Sequence, residues 1–191
     1  MIARRSLRLA AVASALAIAL VCATAHATVV VPLTRADMAH RADLIVRATV
    51  LGHTSRWNED GSQIITLTEL RVTRWLKGNA TSSVLVLRQF GGTVGDTRSH
   101  IAGDPRLEQG QDVVLFLRRG DGVVYLFAMA QSAYHVVRSR GGALVVRRDL
   151  DGLTFAMRDG AQLRLVEPGT EPGEALDAFL ASLASLVAGA R

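Results

Sequence analysis

The sequence of 191 residues contains a single cysteine, Cys22, and no pair of histidines at a spacing that binds a metal. Cys22 lies in a segment that we expect to be removed, so the remaining protein would have no disulfide, no thiol nucleophile and no cysteine-based zinc site. The patterns His-x-x-x-His and Glu-x-x-His, which place two ligands on one face of a helix, are also missing. The remaining histidines, His40, His53, His100 and His135, are isolated. We therefore predict neither a bound metal nor another cofactor.

A long hydrophobic run is the second feature that the sequence lacks. The longest apolar run, Leu9–Val21, has 13 residues, whereas a membrane-spanning helix needs roughly 20. Arg4, Arg5 and Arg8 precede this run, and the small–x–small tripeptide Ala25-His26-Ala27 follows it. This combination is typical of a secretory signal peptide. We expect export, without a membrane span.

Cleavage is predicted after Ala27, so that residues 1–27 are the signal peptide and residues 28–191 form one mature domain. We expect this domain in the periplasm or secreted from the cell. Lipidation at Cys22 is a weaker alternative, because the bulky Val21 occupies a position where a small residue is expected. The arginine pair near the start also allows twin-arginine export, but no cofactor motif requires the protein to be exported in the folded state.

The mature domain carries little net charge of either sign. The full chain has a net charge of +5, from 22 Lys and Arg against 17 Asp and Glu. Three of the arginines and none of the acidic residues lie in residues 1–27, which leaves 19 basic and 17 acidic residues and a net charge of +2. Nucleic-acid-binding domains show a clustered basic face, so no nucleic acid partner is expected. At 164 residues, the domain can fold on a hydrophobic core without disulfides.

Short segments in which apolar residues alternate with polar ones dominate the mature sequence. Strands are predicted over residues 43–52, 63–76, 83–90, 112–117, 123–128, 133–137 and 143–147, with glycine-containing turns between several of them. In the second of these segments, one alternating set contains Thr66 and Thr68 and becomes mainly apolar only in its later half. Residues 93–111 are polar and contain glycine and proline, which predicts a long loop.

Two helices are predicted at the edges of this β-rich region. Thr34 and Asp37 form the pattern of a capping box for a short helix over Thr34–Arg41, with Met38 and Ala42 as buried positions. Residues 174–188 change to a helical period and carry one apolar stripe: Leu176, Phe179, Leu180, Leu183, Leu186 and Val187. Many short strands with two peripheral helices indicate a small barrel or a sandwich.

Four short motifs in a fixed order resemble a group of uncharacterised exported bacterial proteins. They are Ala-Asp-Leu-Ile-Val at 42–46, the strand from Arg71-Val72 to Leu-Lys-Gly at 76–78, Phe-Gly-Gly at 90–92 and Gly-Gln-Asp-Val-Val-Leu-Phe-Leu at 110–117. The resemblance covers roughly residues 35–138. The same order is similar to the netrin-like domain, which is the OB-type barrel of tissue inhibitors of metalloproteinases. It implies a mainly β fold: a small OB-like (netrin-like) barrel with a short N-terminal helix and a C-terminal amphipathic helix.

The resemblance does not carry the inhibitory chemistry with it. Those inhibitors present the amine of an N-terminal cysteine to the zinc of a protease, and disulfides cross-link their barrel. A chain that begins at Thr28 has no cysteine. A role as an inhibitor or accessory protein of a secreted protease is therefore an alternative that rests on the resemblance alone.

Candidate ligand-binding residues concentrate in residues 93–111, which we call the polar segment. We select Asp96, His100, Asp104 and Arg106, together with Trp57 as an exposed aromatic side chain nearby. No catalytic residue is predicted, because an Asp, a Ser and a His in one loop lack the Gly-x-Ser-x-Gly elbow and the oxyanion hole of a triad. The sequence predicts a non-enzymatic binding or interaction module for an unknown protein or envelope ligand. A hydrolase that uses His100 and Asp104 is a third possibility.

Overall fold

The computed structural model describes residues 27–120 and 122–189. The predicted signal peptide lies outside these residues apart from Ala27, so its cleavage stays a prediction. The described part of the chain contains thirteen strands and two helices in this order: β1 (Thr28–Val30), α1 (Arg35–Arg41), β2 (Leu44–Trp57), β3 (Ile64–Lys77), β4 (Val84–Phe90), β5 (Gly92–Val94), β6 (Thr97–Ser99), β7 (Asp112–Arg119), β8 (Val124–Leu126), β9 (Ala133–Arg138), β10 (Leu144–Arg147), β11 (Leu153–Asp159), β12 (Gln162–Val166), β13 (Glu174–Ala175) and α2 (Leu176–Ala188).

Five strands close into a barrel in the order β2–β3–β4–β8–β7, with β7 pairing back to β2. β2 runs antiparallel to both β3 and β7, and β3 runs antiparallel to β4. β8 completes the circle because it pairs in parallel with β4 and antiparallel with β7. The result is a five-stranded barrel of OB type. The predicted mainly β, OB-like fold is confirmed, and the sandwich alternative is wrong.

Alternate residues of the barrel strands point inward and form an apolar core, as the period of two in the sequence predicted. All five strands contribute to it: Leu44, Val46, Ala48, Val50, Leu70, Leu85, Leu87, Val113, Leu115, Leu117 and Val124. Burying one such aliphatic side chain contributes about 1.5–3 kcal/mol. The inner core therefore fixes the register of the strands that carry the candidate site.

The outer face of β2 and β7 is buried as well, because both helices pack on it. This second core joins residues from the strands and the helices: Met38, Ala39, Ala42, Ile45, Val114, Phe116, Tyr134, Val146, Leu176, Phe179, Leu180, Leu183 and Val187. β7 is thus buried on both faces, which explains its continuous apolar run. The predicted capping box of α1 is present, since Thr34 Oγ1 accepts from the backbone N–H of Asp37 and the Asp37 carboxylate accepts from the backbone N–H of Thr34.

Several predicted boundaries need correction. The strand expected to end at residue 52 continues to Trp57. The predicted long loop over 93–111 instead begins with the hairpin β5–β6, because Gly95 adopts a φ of +56° and supplies the first central position of a tight turn. The C-terminal helix starts at Leu176, since Glu174–Ala175 pair with β10 as a short strand. Within the described residues, neither helix has the length and hydropathy needed to cross a membrane.

A separate three-stranded sheet, β1–β11–β12, anchors the rest of the polar segment. Thr28 Oγ1 donates to the backbone oxygen of Ala102 at 2.6 Å, and Ala130 N donates to the backbone oxygen of Gly103 at 3.0 Å. A Cβ atom on Gly152 would collide with the backbone nitrogen of Gly103. Residues 100–106 are therefore held between this sheet and the end of the barrel.

Candidate functional site

One extra residue in β2 decides which side chains line the open end of the barrel. Val50 pairs with Leu70, whereas His53 pairs with Thr68, so that Leu51 has no partner in β3. Such a β-bulge shifts the alternation of side chains by one position. Before the bulge the inward-facing residues of β2 have even numbers, and beyond it they have odd numbers.

Beyond this bulge the inner face of the sheet changes from apolar to polar. Ser55, Thr66 and Gln89 lie side by side on β2, β3 and β4, and we call these three residues the polar row. Ser55 Oγ and Thr66 Oγ1 are 2.9 Å apart, and Thr66 Oγ1 donates to the backbone oxygen of Gly91 at 2.7 Å. Thr68, one step closer to the core, is 1% exposed. The interior of the barrel therefore ends in a surface of hydroxyl and amide groups.

The polar row forms the floor of a groove of about 620 Å³. The hairpin β5–β6 forms one wall and lies very close to the floor. A Cβ atom on Gly92, whose φ is +131°, would collide with Ser55 Oγ and Thr66 Oγ1. Glycine is therefore required at this position, because it alone combines that backbone angle with the close approach.

Gln89 positions the opposite wall of the groove, which consists of residues 100–101 and 104–108. Its Nε2 atom donates to Asp104 Oδ2 at 3.0 Å and to the backbone oxygen of Pro105 at 2.9 Å. The side chain thus ties β4 to the polar segment directly above the floor. One residue of the polar row sets the width of the groove.

An apolar pocket of about 440 Å³ adjoins the groove. Its apolar side chains are Trp57, Ile64, Phe90 and Ile101, and we call it the aromatic pocket. Trp57 is 41% exposed and Phe90 is 51% exposed, although large apolar side chains are normally buried. The groove and the aromatic pocket share Phe90 and Ile101, so one extended ligand can occupy both.

The structure places four of the five predicted site residues on this surface. His100, Asp104 and Arg106 line the groove, and Trp57 lines the aromatic pocket. Asp96 lines neither of them, because the turn of the β5–β6 hairpin carries it to the exposed tip.

The charges around the groove are balanced. Two basic residues, Arg98 and Arg106, and two acidic residues, Asp104 and Glu108, line the groove. Burial raises the pKa of the Asp104 carboxyl to about 6, and the hydrogen bond from Gln89 opposes this rise. The carboxyl therefore takes up a proton in mildly acidic solution, in a pH range where an ordinary exposed aspartate stays ionised.

The Asp104 carboxylate has a structural hydrogen-bond partner. The Asp104 carboxylate accepts its hydrogen bond from Gln89, and in the described ranges no side-chain hydrogen bond links it to His100 or Ser99. The relay that a hydrolase would use is thus not assembled in this structure. Among residues 27–120 and 122–189, no three His, Cys, Asp or Glu side chains converge to hold a metal ion.

Sequence reasoning missed the polar row, together with Phe90 and Ile101. The sequence of β3 did contain a signal for the polar row. Thr66 and Thr68 are two polar residues among the otherwise apolar residues of β3 that face the barrel interior. Two threonines at such positions mark the point where the core ends. No comparable signal identified the groove residues of β2, because the position of the bulge is not visible in the alternation.

No protein-family model matches this sequence, and no curated protein matches it. The order of the strands therefore defines the class of fold: a closed, five-stranded OB-type barrel that carries a polar groove and an aromatic pocket at one end. The resemblance to the netrin-like domain stays a prediction.

Proposed function

We propose that this protein is an exported, non-enzymatic binding module of the cell envelope and that the groove is its ligand site. The observation that carries the proposal is the polar row at the open end of an otherwise apolar barrel. Barrels of OB type bind ligands on the face of their second and third strands and on the adjoining loops. β3 and β4 are the second and third barrel strands here, and Thr66 and Gln89 lie on them.

The composition of the groove supports a ligand site. If this end of the barrel had no binding role, its side chains would be expected to be apolar and covered by other residues. Here hydroxyl and amide groups form a half-buried floor, and His100 and Arg106 stand exposed at the rim. Small-molecule sites typically combine an apolar wall with a few convergent polar groups.

Export rests on the signal-peptide pattern of residues 1–27. The envelope is the compartment in which an exported binding module would meet a partner, which makes envelope material the appropriate probe.

Co-sedimentation of residues 28–191 with a washed envelope fraction tests the proposal. We expect saturable binding that decreases at least about tenfold (about 1.4 kcal/mol) in the variant His100→Ala/Arg106→Ala, because the double change removes two polar side chains of the groove at once. Arg158→Ala, which changes an exposed residue of β11, is the matched control and should bind like the unmodified protein. Equal binding by the two variants would exclude the groove as the site.

Activity assays distinguish the binding module from the two other functions predicted from the sequence, a hydrolase and a protease inhibitor. A hydrolase would release products from the same envelope fraction over time, and a protease inhibitor would slow secreted metalloproteases at stoichiometric concentration. We expect neither effect. Either one, if abolished by His100→Ala/Arg106→Ala, would replace the binding proposal.

A further inference from the structure

We infer that the ligand is a saccharide chain, with one sugar ring stacked in the aromatic pocket and the next ring over the polar row. This inference rests on the proposed function, because it names the ligand class of the same site. It is carried by the neighbouring positions of an exposed aromatic surface and a surface rich in hydroxyl groups.

The aromatic pocket provides the stacking surface. Trp57 and Phe90 expose 41% and 51% of their surface at the ends of β2 and β4. The buried Ile64, which pairs with Trp57 across the strands, also lines the pocket. Exposed aromatic groups that flank a groove mark a binding site more often than scattered apolar residues do. The flat C–H face of a pyranose ring is the apolar surface that matches such a pocket.

The polar row provides partners for the hydroxyl groups of a sugar. The Gln89 amide donates to Asp104 and Pro105, and the Thr66 hydroxyl donates to Gly91. The row therefore offers acceptor atoms to a sugar: Gln89 Oε1 and the remaining lone pairs of the Ser55 and Thr66 hydroxyls. These groups carry no charge, and the charged side chains at the rim balance one another: Arg98 and Arg106 against Asp104 and Glu108. A polyanion such as a nucleic acid would require a clear excess of positive charge.

The spacing of the two subsites suits a chain that follows the strands. The pair Trp57–Ile64 and the pair Ser55–Thr66 are two residues apart along β2 and β3, which corresponds to about 6.8 Å along an antiparallel strand. A ligand of two or more rings therefore contacts both subsites without bending around the hairpin.

The same geometry disfavours an extended peptide. A peptide that adds to a sheet needs the unpaired backbone groups of an edge strand. The floor of the groove is the face of β3, which is hydrogen-bonded to β2 on one side and to β4 on the other. The ligand thus meets side chains rather than free backbone groups.

Chemical treatment of the envelope fraction distinguishes the ligand classes. Mild periodate cleaves the vicinal diols of sugars, whereas proteinase K removes proteins. Periodate leaves 1,4-linked N-acetylhexosamine chains intact because they have no vicinal diol, so a muramidase digest is the second saccharide treatment. We expect residues 28–191 to lose most of their binding after one of these two treatments of the envelope and to retain it after proteinase treatment. Binding that survives both periodate and muramidase would overturn the saccharide assignment and leave the binding module intact. Failure to bind the untreated envelope would overturn the proposed function itself.

Substitutions in the aromatic pocket test the stacking subsite. Trp57→Ala should weaken binding about 30-fold, as expected for an interfacial tryptophan, whereas Trp57→Phe should weaken it only a few-fold because a ring remains. Phe90→Ala serves as a second truncation in case Trp57→Ala does not fold. The control is Leu163→Ala, which changes a residue that is 69% exposed on β12. If Trp57→Ala and Phe90→Ala both bind the envelope as tightly as Leu163→Ala does, the stacking subsite is overturned.

Discussion

The side-chain amide of Gln89 donates a 3.0 Å hydrogen bond to Oδ2 of Asp104 and thereby joins the floor of the groove to its wall. Gln89 belongs to β4, whose register is fixed by the barrel core, while Asp104 belongs to the irregular segment after β6. The polar segment therefore takes its position from a strand that cannot shift. The pair also places a partly buried carboxyl next to the ligand space.

The first prediction concerns the pH dependence of stability. The folded state binds the Asp104 proton more tightly than the unfolded chain does, since burial raises its pKa from 3.8 to about 6. The contribution of this group to stability is therefore fully present below about pH 4 and is lost as the pH rises through 6. Asp104→Asn should be more stable than the unmodified protein by about 1–3 kcal/mol at pH 7.5 and nearly equal to it at pH 4.

Urea unfolding at pH 4, 5, 6 and 7.5 measures this difference. Asp96→Asn, at the exposed hairpin tip, controls for the loss of one negative charge. A difference between Asp104→Asn and the unmodified protein that stays constant from pH 4 to 7.5 would contradict the role given to burial.

The second prediction concerns the close approach of the hairpin. Gly92→Ala should lower the free energy of unfolding by about 1–3 kcal/mol, because the backbone angle is unfavourable for alanine and the new Cβ atom collides with the floor of the groove. Hydrogen exchange of the hairpin amides should become faster as the hairpin lifts. Gly52→Ala is the matched control, since no atom lies within 4 Å of a Cβ placed there. Equal stability of the two variants would show that the contact is not restrictive.

The third prediction concerns the outer core. Leu183 is 0% exposed between α2 and the sheet, so Leu183→Ala should cost about 2–5 kcal/mol. Leu163→Ala, at a residue that is 69% exposed, should change stability by about 0.5 kcal/mol or less. Guanidinium unfolding measures both values. A cost below about 1 kcal/mol at position 183 would mean that α2 is not packed as described.

The fourth prediction concerns an ion pair that secures the segment before α2. The Arg148 guanidinium pairs with the Glu171 carboxylate, lies 5.2 Å from the centroid of the Tyr134 ring and donates to the backbone oxygen of Gln131. Arg148→Met should cost about 1–3 kcal/mol, because it removes hydrogen bonds to a charged group. A double-mutant cycle with Glu171→Gln separates the pair from the stacking. A coupling energy near zero would show that Arg148 acts through its other contacts.

The individual strands and helices could be predicted because the signals for them are local. The alternation of Leu44, Val46, Ala48 and Val50 specifies a strand with one buried face, and the pair Thr34/Asp37 specifies the start of α1. These patterns follow from the geometry of single elements. The apolar stripe of α2 was visible for the same reason.

The groove could be predicted only in part. His100, Asp104 and Arg106 were recognised because polar residues concentrate in a segment that is rich in glycine and proline. The polar row was not, because its common face depends on the bulge at Leu51 and on the pairing of three strands. Such a relationship between strands is a property of the tertiary fold, and no single segment of the sequence contains it.

Protection of an introduced cysteine tests the central claim most directly. Since residues 28–191 contain no cysteine, Thr93→Cys places a single thiol in the groove wall, and Thr81→Cys places one between β3 and β4, at the opposite end of the barrel. The rate of maleimide labelling is measured with and without the envelope fraction. The account predicts that the envelope slows labelling at position 93 at least tenfold (about 1.4 kcal/mol) and leaves position 81 unchanged. Equal labelling rates at position 93 with and without bound envelope would contradict it.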